Sequence, residues 1–508
     1  RDYYASRGLG DVYKRQNYGR GHFSAVFDPT PKHTAGFDIE YTERSTHMPT
    51  LSRTTLGQTQ SDSRYRQHMD GNTLTATANY IWKIDTLGSQ FKLIADYTRY
   101  TSDGDNSYHT TTCAPGTLRD SLYESATGSV YDILTADAGL TRKLPHGLTL
   151  RAGLRYTRND MADKSRYAAQ TQGTWLALPE YSYDQHYTEQ IGAAYASLEY
   201  SAGRWELSAG LRGEYTSVAS QAFGRSYFGL FPNVSVSRAL NALRTWLLVA
   251  QWSRNIERPA FPALNPARIR ISDYSWQSGN PSLRPTYIHR FSLTAVWKYR
   301  YTLTVGGNLH HDLIREIAHR DATAPDAVYI RPENHYTENH WFVAASVPAK
   351  ITRWWNLSVN AVGVMQRIRL NSTDSPATHY LMFADATCSF TLPAGFFAEA
   401  VYRAQSRLYS GNSEVGPRHT LSATVKKQLF GKRLTLFCTL SNITGCDWEF
   451  ASLTDGMRRT IDTGQAWSGR LWKVGAAWNF RTGKKFRART VESAAETQRK
   501  RLVKSTEQ

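Results

Sequence analysis

The chain has 508 residues, with 61 Lys and Arg against 43 Asp and Glu, and its formal net charge is +18 at pH 7. Its mean hydropathy is −0.51, and no run reaches the roughly 18 apolar residues of a membrane-spanning helix, which excludes a helical membrane protein. The basic excess is dispersed rather than gathered into one patch with aromatic residues, which argues against a nucleic-acid-binding protein.

Residues 1–16 show none of the pattern that follows and resemble a translated sequencing adaptor, so we set them aside in predicting the fold. From residue 17 onward, apolar side chains return at every second position, which predicts β-strands. The predicted strands are, in chain order, 17–28, 34–43, 72–84, 89–101, 129–143, 147–158, 186–200, 203–217, 225–239, 244–255, 286–299, 302–317, 336–349, 354–369, 377–392, 395–410, 417–428, 433–443 and 467–480.

Short and long connections alternate between these strands. Every second connection is a tight turn, such as 145–147, 202–203 or 393–395, whereas the others include 44–70, 102–128, 159–185, 256–285, 318–335 and 444–466. Both ends of a soluble β-sandwich face the same water and have no reason to sort their loops by length. An outer-membrane β-barrel closes its hairpins in the periplasm and elaborates its outer loops, so the alternation predicts such a barrel.

The strand at 203–217 shows the two expected faces clearly. Trp205, Leu207, Leu211 and Tyr215 share one face, and polar residues such as Ser208 occupy the other. At about 3.3 Å per residue and a tilt near 40°, the distance between the two aromatic residues projects to roughly 25 Å. This is the height of the apolar band between the aromatic girdles of a membrane barrel.

The nineteen predicted strands define the fold class as all-β, a large transmembrane antiparallel β-barrel. Bacterial single-chain barrels have even strand numbers, so the odd count leads us to expect a barrel of about 20–22 strands whose first strands lie upstream. We therefore divide the chain into the adaptor-like segment 1–16, an N-terminally truncated barrel at 17–480 and a basic periplasmic tail at 481–508. Arginines on the inner wall and contact with anionic lipid account for the remaining positive charge.

We predict no catalytic residue, no metal and no cofactor. Neither G-x-S-x-G, H-E-x-x-H nor a P-loop motif occurs. The four cysteines lack zinc-type spacing, and a disulfide between Cys438 and Cys446 is left open. Two histidine pairs are candidate metal ligands, namely His310 with His311 and His335 with His340. Neither pair has a third ligand at a spacing typical of a metal site.

One segment is more specific than the strand pattern. It reads Ser253-Arg-Asn-Ile-Glu-Arg-Pro259, then Leu264-Asn-Pro266, then Gly279-Asn-Pro-Ser-Leu-Arg-Pro285. Its order and spacing resemble the signature of the TonB-dependent receptor-like outer-membrane β-barrel family, in which these elements occupy one extracellular loop and its flanking strands. Thr286 follows where the family often has an acidic residue. The signature residues are Arg258, Pro259, Leu264, Asn265, Pro266, Gly279, Asn280, Pro281, Leu283 and Pro285.

Proline and glycine in this segment favour a structured loop that braces the barrel rim, with direct ligand contact as the alternative. The resemblance implies a barrel closed by an N-terminal plug, and import of a large or scarce substrate with energy from the TonB system. We expect this chain to be the barrel portion, without the plug. A passive channel or porin is the nearer alternative, and a barrel enzyme the more distant one. We predict that the chain is not an enzyme.

Four aromatic residues of the predicted outer loops are candidate ligand contacts, namely Tyr274, Trp276, Tyr329 and Trp448. Such side chains stack on a sugar or a large apolar ligand, or belong to the interfacial aromatic belt. The predicted partners are outer-membrane lipid and lipopolysaccharide, the TonB complex through a plug, and a surface lipoprotein, with no nucleic acid. The predicted location is the outer membrane of a Gram-negative cell.

Overall fold

Antiparallel hairpins organise the chain in the computed structural model, which describes residues 4–6, 15–56, 58–221, 223–266, 268–272, 275–321, 327–446, 448–454, 457–463, 469–480 and 491–502. The strands are β1 (Tyr4–Ser6), β2 (Arg15–Thr30), β3 (His33–Leu56), β4 (Thr59–Lys83), β5 (Gln90–Ala114), β6 (Thr117–Leu144), β7 (Leu148–Thr171), β8 (Thr174–Ala177), β9 (Tyr183–Ala202), β10 (Trp205–Ser220), β11 (Gly224–Ala239), β12 (Trp246–Glu257), β13 (Ile269–Ser272), β14 (Ser275–Gln277), β15 (Thr286–Trp297), β16 (Tyr301–Arg320), β17 (Val328–Lys350), β18 (Trp355–Arg369), β19 (Ala377–Leu392), β20 (Phe396–Gln405), β21 (Leu408–Ser410), β22 (Ser413–Val415), β23 (Arg418–Leu429), β24 (Leu434–Ser441), β25 (Trp448–Thr454), β26 (Met457–Thr463) and β27 (Leu471–Trp478).

Among the described residues, helical structure is limited to short pieces. The α-helices are α1 (Phe261–Leu264) and α2 (Glu496–Arg499), and the 3-10 turns are Pro145–Gly147, Pro179–Tyr181, Pro393–Gly395 and Lys500–Leu502. Among the described residues, no helix has the length and apolar character needed to cross a bilayer.

In the part of the chain that the structure describes, nineteen strands form the wall, namely β2 to β7, β9 to β12, β15 to β20, β23, β24 and β27. Each is hydrogen-bonded in antiparallel register to the next, and the sheet curls into a barrel. Within the described ranges the antiparallel pairing runs without interruption from β2 to β27. The predicted fold class, a large antiparallel β-barrel, is confirmed.

The strands in the first third of the chain are longer than predicted. Residues 44–70 and 102–128, predicted as loops, belong instead to the outer ends of the hairpins β3–β4 and β5–β6. Small β-branched and hydroxyl side chains on the inward face continue the pairing there. For example, Oγ of Ser63 lies 2.9 Å from Oγ1 of Thr110, and both side chains are buried. Such cross-strand pairs stabilise a sheet, so both hairpins continue past the predicted ends of their strands.

The outward face of the wall carries the apolar residues that the sequence placed there. Leu154 is 64% exposed and Leu211 50%, whereas Thr157 on the opposite face of β7 is 2% exposed. Aromatic side chains bound the apolar band at both heights, as Trp205 and Tyr215 do on β10. The outward face is therefore suited to lipid, and the inward face to polar contacts.

The short connections Pro145–Gly147 and Pro393–Gly395 are tight 3-10 turns that contain residues with positive φ. In the turn Pro145–Gly147, His146 has φ 61° and Gly147 has φ 75°. A Cβ atom at Gly147 would lie 2.3 Å from the carbonyl oxygen of Ser201, so glycine is needed there for space as well as for conformation.

A second sheet lies at the outer ends of the wall strands and consists of β1, β26, β25, β22 and β21. Asn412, between β21 and β22, attaches this sheet to β16. Its Nδ2 donates to the carbonyl oxygen of Ala318 over 2.6 Å, and its Oδ1 accepts from the Ala318 N–H over 3.0 Å. The outer hairpins are therefore packed against the barrel.

Two further expectations concern cysteine and the ends of the chain. Cys438 and Cys446, whose pairing the sequence left open, do not form a disulfide in this structure. The division at residues 17 and 480 stays a prediction. The structure begins β2 at Arg15, and it places residues 491–502, expected in the periplasm, in contact with the inner wall.

Candidate functional site

The segment between β12 and β15 folds back into the mouth of the barrel. Helix α1 supplies Phe261 and Leu264, and Leu283 follows from the other end of the segment. These side chains are 1%, 2% and 0% exposed. They form one apolar cluster with inward-facing residues of the wall, which are Tyr131, Ile133, Met161, Tyr187 and Val218. The signature loop, residues 258–285, is thus ordered by the burial of its own apolar side chains.

Backbone hydrogen bonds close this loop where two signature elements meet. The N–H of Gly279 donates to the carbonyl oxygen of Asn265 over 2.9 Å, and that of Asn280 donates to the carbonyl oxygen of Ala263 over 2.7 Å. The Asn280 side chain donates from Nδ2 to the carbonyl oxygen of Pro332, in β17, over 3.0 Å. The two elements therefore form one crossing point that is tied to the wall.

Gly279 leaves no space for a side chain at this crossing point. A Cβ atom there would lie 2.1 Å from the Asn265 carbonyl oxygen and 2.7 Å from that of Ala263. We expect Gly279→Ala to destabilise the barrel by about 1–3 kcal/mol, because backbone atoms have to move, and a lower urea midpoint in lipid vesicles would show this. Gly192→Ala is the control, since no atom lies within 4 Å of a Cβ there. Equal effects of the two changes would contradict the crossing.

Arg258 lies at the centre of a charge network that joins the loop to the wall. Its side chain is 9% exposed, and its Nη2 donates to Oε2 of Glu214 over 2.6 Å and to Oγ1 of Thr216 over 3.0 Å. Its Nε is 3.8 Å from Oε1 of Glu189. Nε of Arg212 donates to the other Glu214 oxygen over 2.5 Å. The start of the loop is thereby attached to β9 and β10.

The charge on Arg258 is permanent. Burial alone lowers the pKa of its guanidinium, but attraction to Glu214 and Glu189 outweighs burial, and the net pKa lies above the ordinary value. Two carboxylates that would each be costly to bury alone therefore have a fixed cation between them.

Thr286 holds the end of the loop. It stands where the family that the sequence resembles often has an acidic residue. This side chain is 1% exposed; its hydroxyl donates to the Asp312 carbonyl oxygen over 3.0 Å, and its oxygen lies 3.3 Å from the N–H of Ile314. Asp312 has φ 57°, and the β16–β17 pairing omits it while keeping the same register from His311 to Leu313. The threonine therefore holds the backbone at this residue and just after it. Pro285 beside it is buried, and Pro266 and Pro281 are half-buried.

Two of the four candidate ligand-contact residues meet in the structure. Trp276 in β14 and Tyr329 in β17 are direct partners in a parallel ladder. Tyr181 stacks on Trp276, with ring centroids 6.1 Å apart. We call Tyr181, Trp276 and Tyr329 the outer aromatic cluster. Tyr274 lies outside the described residues, and Trp448 begins β25 without a described side chain, so the placement of both stays a prediction.

Three of the paired histidines gather near one buried carboxylate. Glu338 is 0% exposed, and its Oε1 lies 2.8 Å from Nε2 of His340 and 2.9 Å from Nη2 of Arg315. Nδ1 of His335 is 3.4 Å from Oε2, and Nδ1 of His310 lies 2.7 Å from the Glu338 carbonyl oxygen. In the described part of the chain, no group of three or more His, Cys, Asp or Glu side chains is arranged to hold a metal ion. The arrangement is a hydrogen-bonded group around the ion pair of Arg315 and Glu338.

Sequence reasoning did not single out Glu189, Glu214 or Tyr181. The two glutamates read as ordinary inward polar positions, and nothing local marks them as partners of Arg258. The sequence nevertheless indicated that they are neighbours, because both glutamates stand on the inward face of adjacent predicted strands. A buried arginine in the loop needs carboxylates of that kind.

The wall, its lipid-suited face and its outer loops define an outer-membrane β-barrel, and residues 82–470 match the outer membrane protein beta-barrel family. The chain belongs to this family. The comparison with curated proteins finds no match. The predicted family resemblance, fold class and location in the cell outer membrane are confirmed.

Solved structures of similar fold include the ferric-catecholate import receptor Fiu from K12 E. coli. It is 10% identical with a TM-score of 0.57, and the match covers 93% of this chain and 81% of that one. A chain of the FpvAI–pyocin S2 complex is 10% identical with a TM-score of 0.53, covering 93% and 72%. The siderophore receptor PirA from Pseudomonas aeruginosa is 11% identical with a TM-score of 0.46, covering 91% and 80%. At these identities the likeness concerns the fold.

Proposed function

We propose that the chain is the barrel of an import receptor that takes up a large or scarce substrate with energy from the TonB system. The observation that carries the proposal is the ordered signature loop, which Arg258 holds inside the mouth of a barrel of this family. One protein of similar fold is a ferric-catecholate import receptor, so ferric siderophores head the substrate classes to be tested. Glycans, peptides and cobalamins follow.

The apolar cluster in the mouth of the barrel favours a receptor over a passive pore. A porin keeps an aqueous channel through its barrel. Here Phe261, Leu264 and Leu283 build an apolar cluster within the mouth, which occupies volume that water would fill in an open channel. Fixed loops also present side chains to a ligand without a large ordering cost.

Uptake by cells with and without TonB tests the proposal. The complete gene is expressed in an outer membrane that lacks its own import receptors, and uptake is measured for labelled ferric siderophores, oligosaccharides, peptides and cobalamin. We expect uptake of one class in TonB-containing cells and none in cells without TonB. Equal uptake in both would identify a passive channel, and chemical conversion of the substrate at the cell surface would identify an enzyme.

The outer aromatic cluster is the proposed ligand surface. We expect Trp276→Ala and Tyr329→Ala each to weaken binding of the substrate found in the uptake panel by roughly 0.5–1.5 kcal/mol, because stacking area is lost. Equilibrium binding to whole cells measures the change. The control is Trp246→Ala, which removes an outward-facing ring that stacks on Trp297 at 5.7 Å. Unchanged affinity in both cluster variants would remove these residues from the ligand surface.

Three partners remain proposals. Contact with lipopolysaccharide is supported by the polar residues that face outward above the apolar band. There the Tyr97 hydroxyl donates to Oδ1 of Asp132 over 2.6 Å, and Arg99 lies 3.3 Å from the same carboxylate. The TonB complex follows from the proposed energy source. A surface lipoprotein would meet the second sheet at the outer ends of the strands.

A further inference from the structure

Four neighbouring turns at the short-turn end of the barrel are basic. They are residues 203–204, 240–245, 298–300 and 351–354. Each adjoins the next, because β10 pairs with β11, β12 with β15 and β16 with β17. Together they contain five basic residues and no acidic one, namely Arg204, Arg244, Lys298, Arg300 and Arg353. The flanking turns Pro145–Gly147 and Pro393–Gly395 contain no Lys or Arg, so the charge is confined to one sector of the rim.

Hydrogen bonds join these turns to one another. Nη2 of Arg244 donates to the Gly203 carbonyl oxygen over 2.8 Å, which links the first two turns and holds the guanidinium in place. The N–H of Lys298 donates to the Thr245 carbonyl oxygen over 2.6 Å, which links the second turn to the third. We call the four turns, together with Arg238 at the end of β11, the basic rim sector.

Cations of this sector lie over tryptophan rings on the outward face. The Arg238 guanidinium is 4.7 Å from the centre of the Trp205 ring, and Nζ of Lys298 is 4.5 Å from that of Trp297. Trp246 stacks on Trp297, and all three rings are exposed. A cation–π contact positions a cation without neutralising it. The positive charge therefore stays available to an anion.

The opposite end of the wall treats its exposed arginines differently. There Nε of Arg158 lies 2.7 Å from Oδ2 of Asp160, so its charge is balanced within the chain. Among the residues with a described placement, no carboxylate lies within ion-pair distance of Arg238, Arg244 or Lys298. The basic rim sector is thus electrostatically complementary to an anion from outside the described chain.

Apolar side chains continue from this sector towards the bilayer centre. Leu207 and Leu211 follow Trp205 on the outward face of β10, and Val234 faces outward on the neighbouring strand β11. A ligand with both a charge and acyl chains would contact the cations and this apolar face together. Inorganic phosphate or an acidic peptide would use the charged part alone. The surface therefore has the two parts that a phospholipid requires.

We propose that the basic rim sector binds an anionic phospholipid, with the phosphate at Arg238 and Arg244. The acyl chains lie along Leu207 and Leu211. The short turns of an outer-membrane barrel face the periplasm, where the membrane leaflet consists of phospholipid. Guanidinium groups bind phosphate oxygens through charge-assisted hydrogen bonds, and tryptophan is suited to the level of the headgroups. This inference does not depend on which substrate the barrel transports.

Lipid binding to the full chain in a neutral detergent tests the proposal. Native mass spectrometry during titration with phosphatidylglycerol or phosphatidylcholine gives the Kd of the first bound lipid. We expect tighter binding of phosphatidylglycerol, and we expect Arg238→Gln combined with Arg244→Gln to weaken it about tenfold. Lysine at both positions keeps the charge and should retain most of the affinity. Circular dichroism checks that each variant is folded.

The control removes two positive charges that are already balanced. Arg53→Gln combined with Arg158→Gln changes two exposed arginines that are paired with Asp62 and Asp160, and phosphatidylglycerol binding should stay near that of the parent. Equal weakening in the two double variants, or equal affinity of the parent for the two lipids, would overturn the proposal. Displacement of the lipid by inorganic phosphate at constant ionic strength would also overturn it, because the acyl chains would then contribute nothing.

Discussion

Replacing Arg258 with leucine is expected to lower the free energy of unfolding by about 3 kcal/mol. The reason is that Glu214 and Glu189 lose the cation between them while both stay buried, and breaking a buried ion pair typically costs about 3–5 kcal/mol. The lower end of that range applies because Arg212 and Arg501 still contact these carboxylates. Urea unfolding of the barrel in lipid vesicles, followed by tryptophan fluorescence, measures the change.

Arg284→Leu is the matched control for this experiment. Arg284 belongs to the same loop and binds Asp312 over 2.6 Å, but its side chain is 62% exposed. An exposed pair of this kind contributes up to about 1 kcal/mol, so the expected loss is small. If Arg258→Leu cost no more than Arg284→Leu, the charge network would not be what attaches the loop to the wall.

Leu211→Arg is expected to destabilise the barrel by about 2–4 kcal/mol, because it places a cation on the lipid face between two aromatic girdles. Leu211 is 50% exposed and lies between Trp205 and Tyr215 on β10. Leu207→Arg should have a similar effect, reduced by its shorter distance to the periplasmic girdle. The measurement is again unfolding in vesicles, with the midpoint and slope determined for each variant.

Ser208→Arg provides the comparison for the inward face of the same strand. Ser208 borders open space on the inner wall together with Glu199 and Glu206. A cation there stays hydrated and meets carboxylates, so its cost should be well below that of Leu211→Arg. Equal costs at the two positions would mean that the inward and outward faces had been assigned the wrong way round.

The wall was predictable because membrane strands carry their two environments in alternate residues. On β7 and β10 the predicted lipid face is the exposed face, and the predicted inner face includes buried residues such as Thr157 and Glu214. Loop lengths were less predictable. The polar segments 44–70 and 102–128 resemble loops in composition, yet they are paired strands, since hydroxyl side chains such as Ser63 and Thr110 satisfy one another only after the strands meet.

The signature loop was predictable as a structured segment but not as an inward one. Gly279 and the prolines indicate restricted backbone, and nothing in their spacing specifies that the Asn265 carbonyl lies directly above the glycine. In the same way, Trp276 and Tyr329 were chosen as aromatic loop residues, and only strand pairing made them neighbours. Contacts between positions far apart in the chain depend on the register of every hairpin between them.

The sequence by itself determined the class of the protein, its two-faced strands and the identity of its signature loop, because period, turn chemistry and motif order are local properties of the chain. Only the tertiary structure decided that Arg258 is shared by Glu189 and Glu214, that Thr286 binds the backbone of Asp312 and Ile314, and that Arg501 returns to the inner wall. Those outcomes depend on burial, and the cost of burying a charge becomes defined only when its partners are brought together in space.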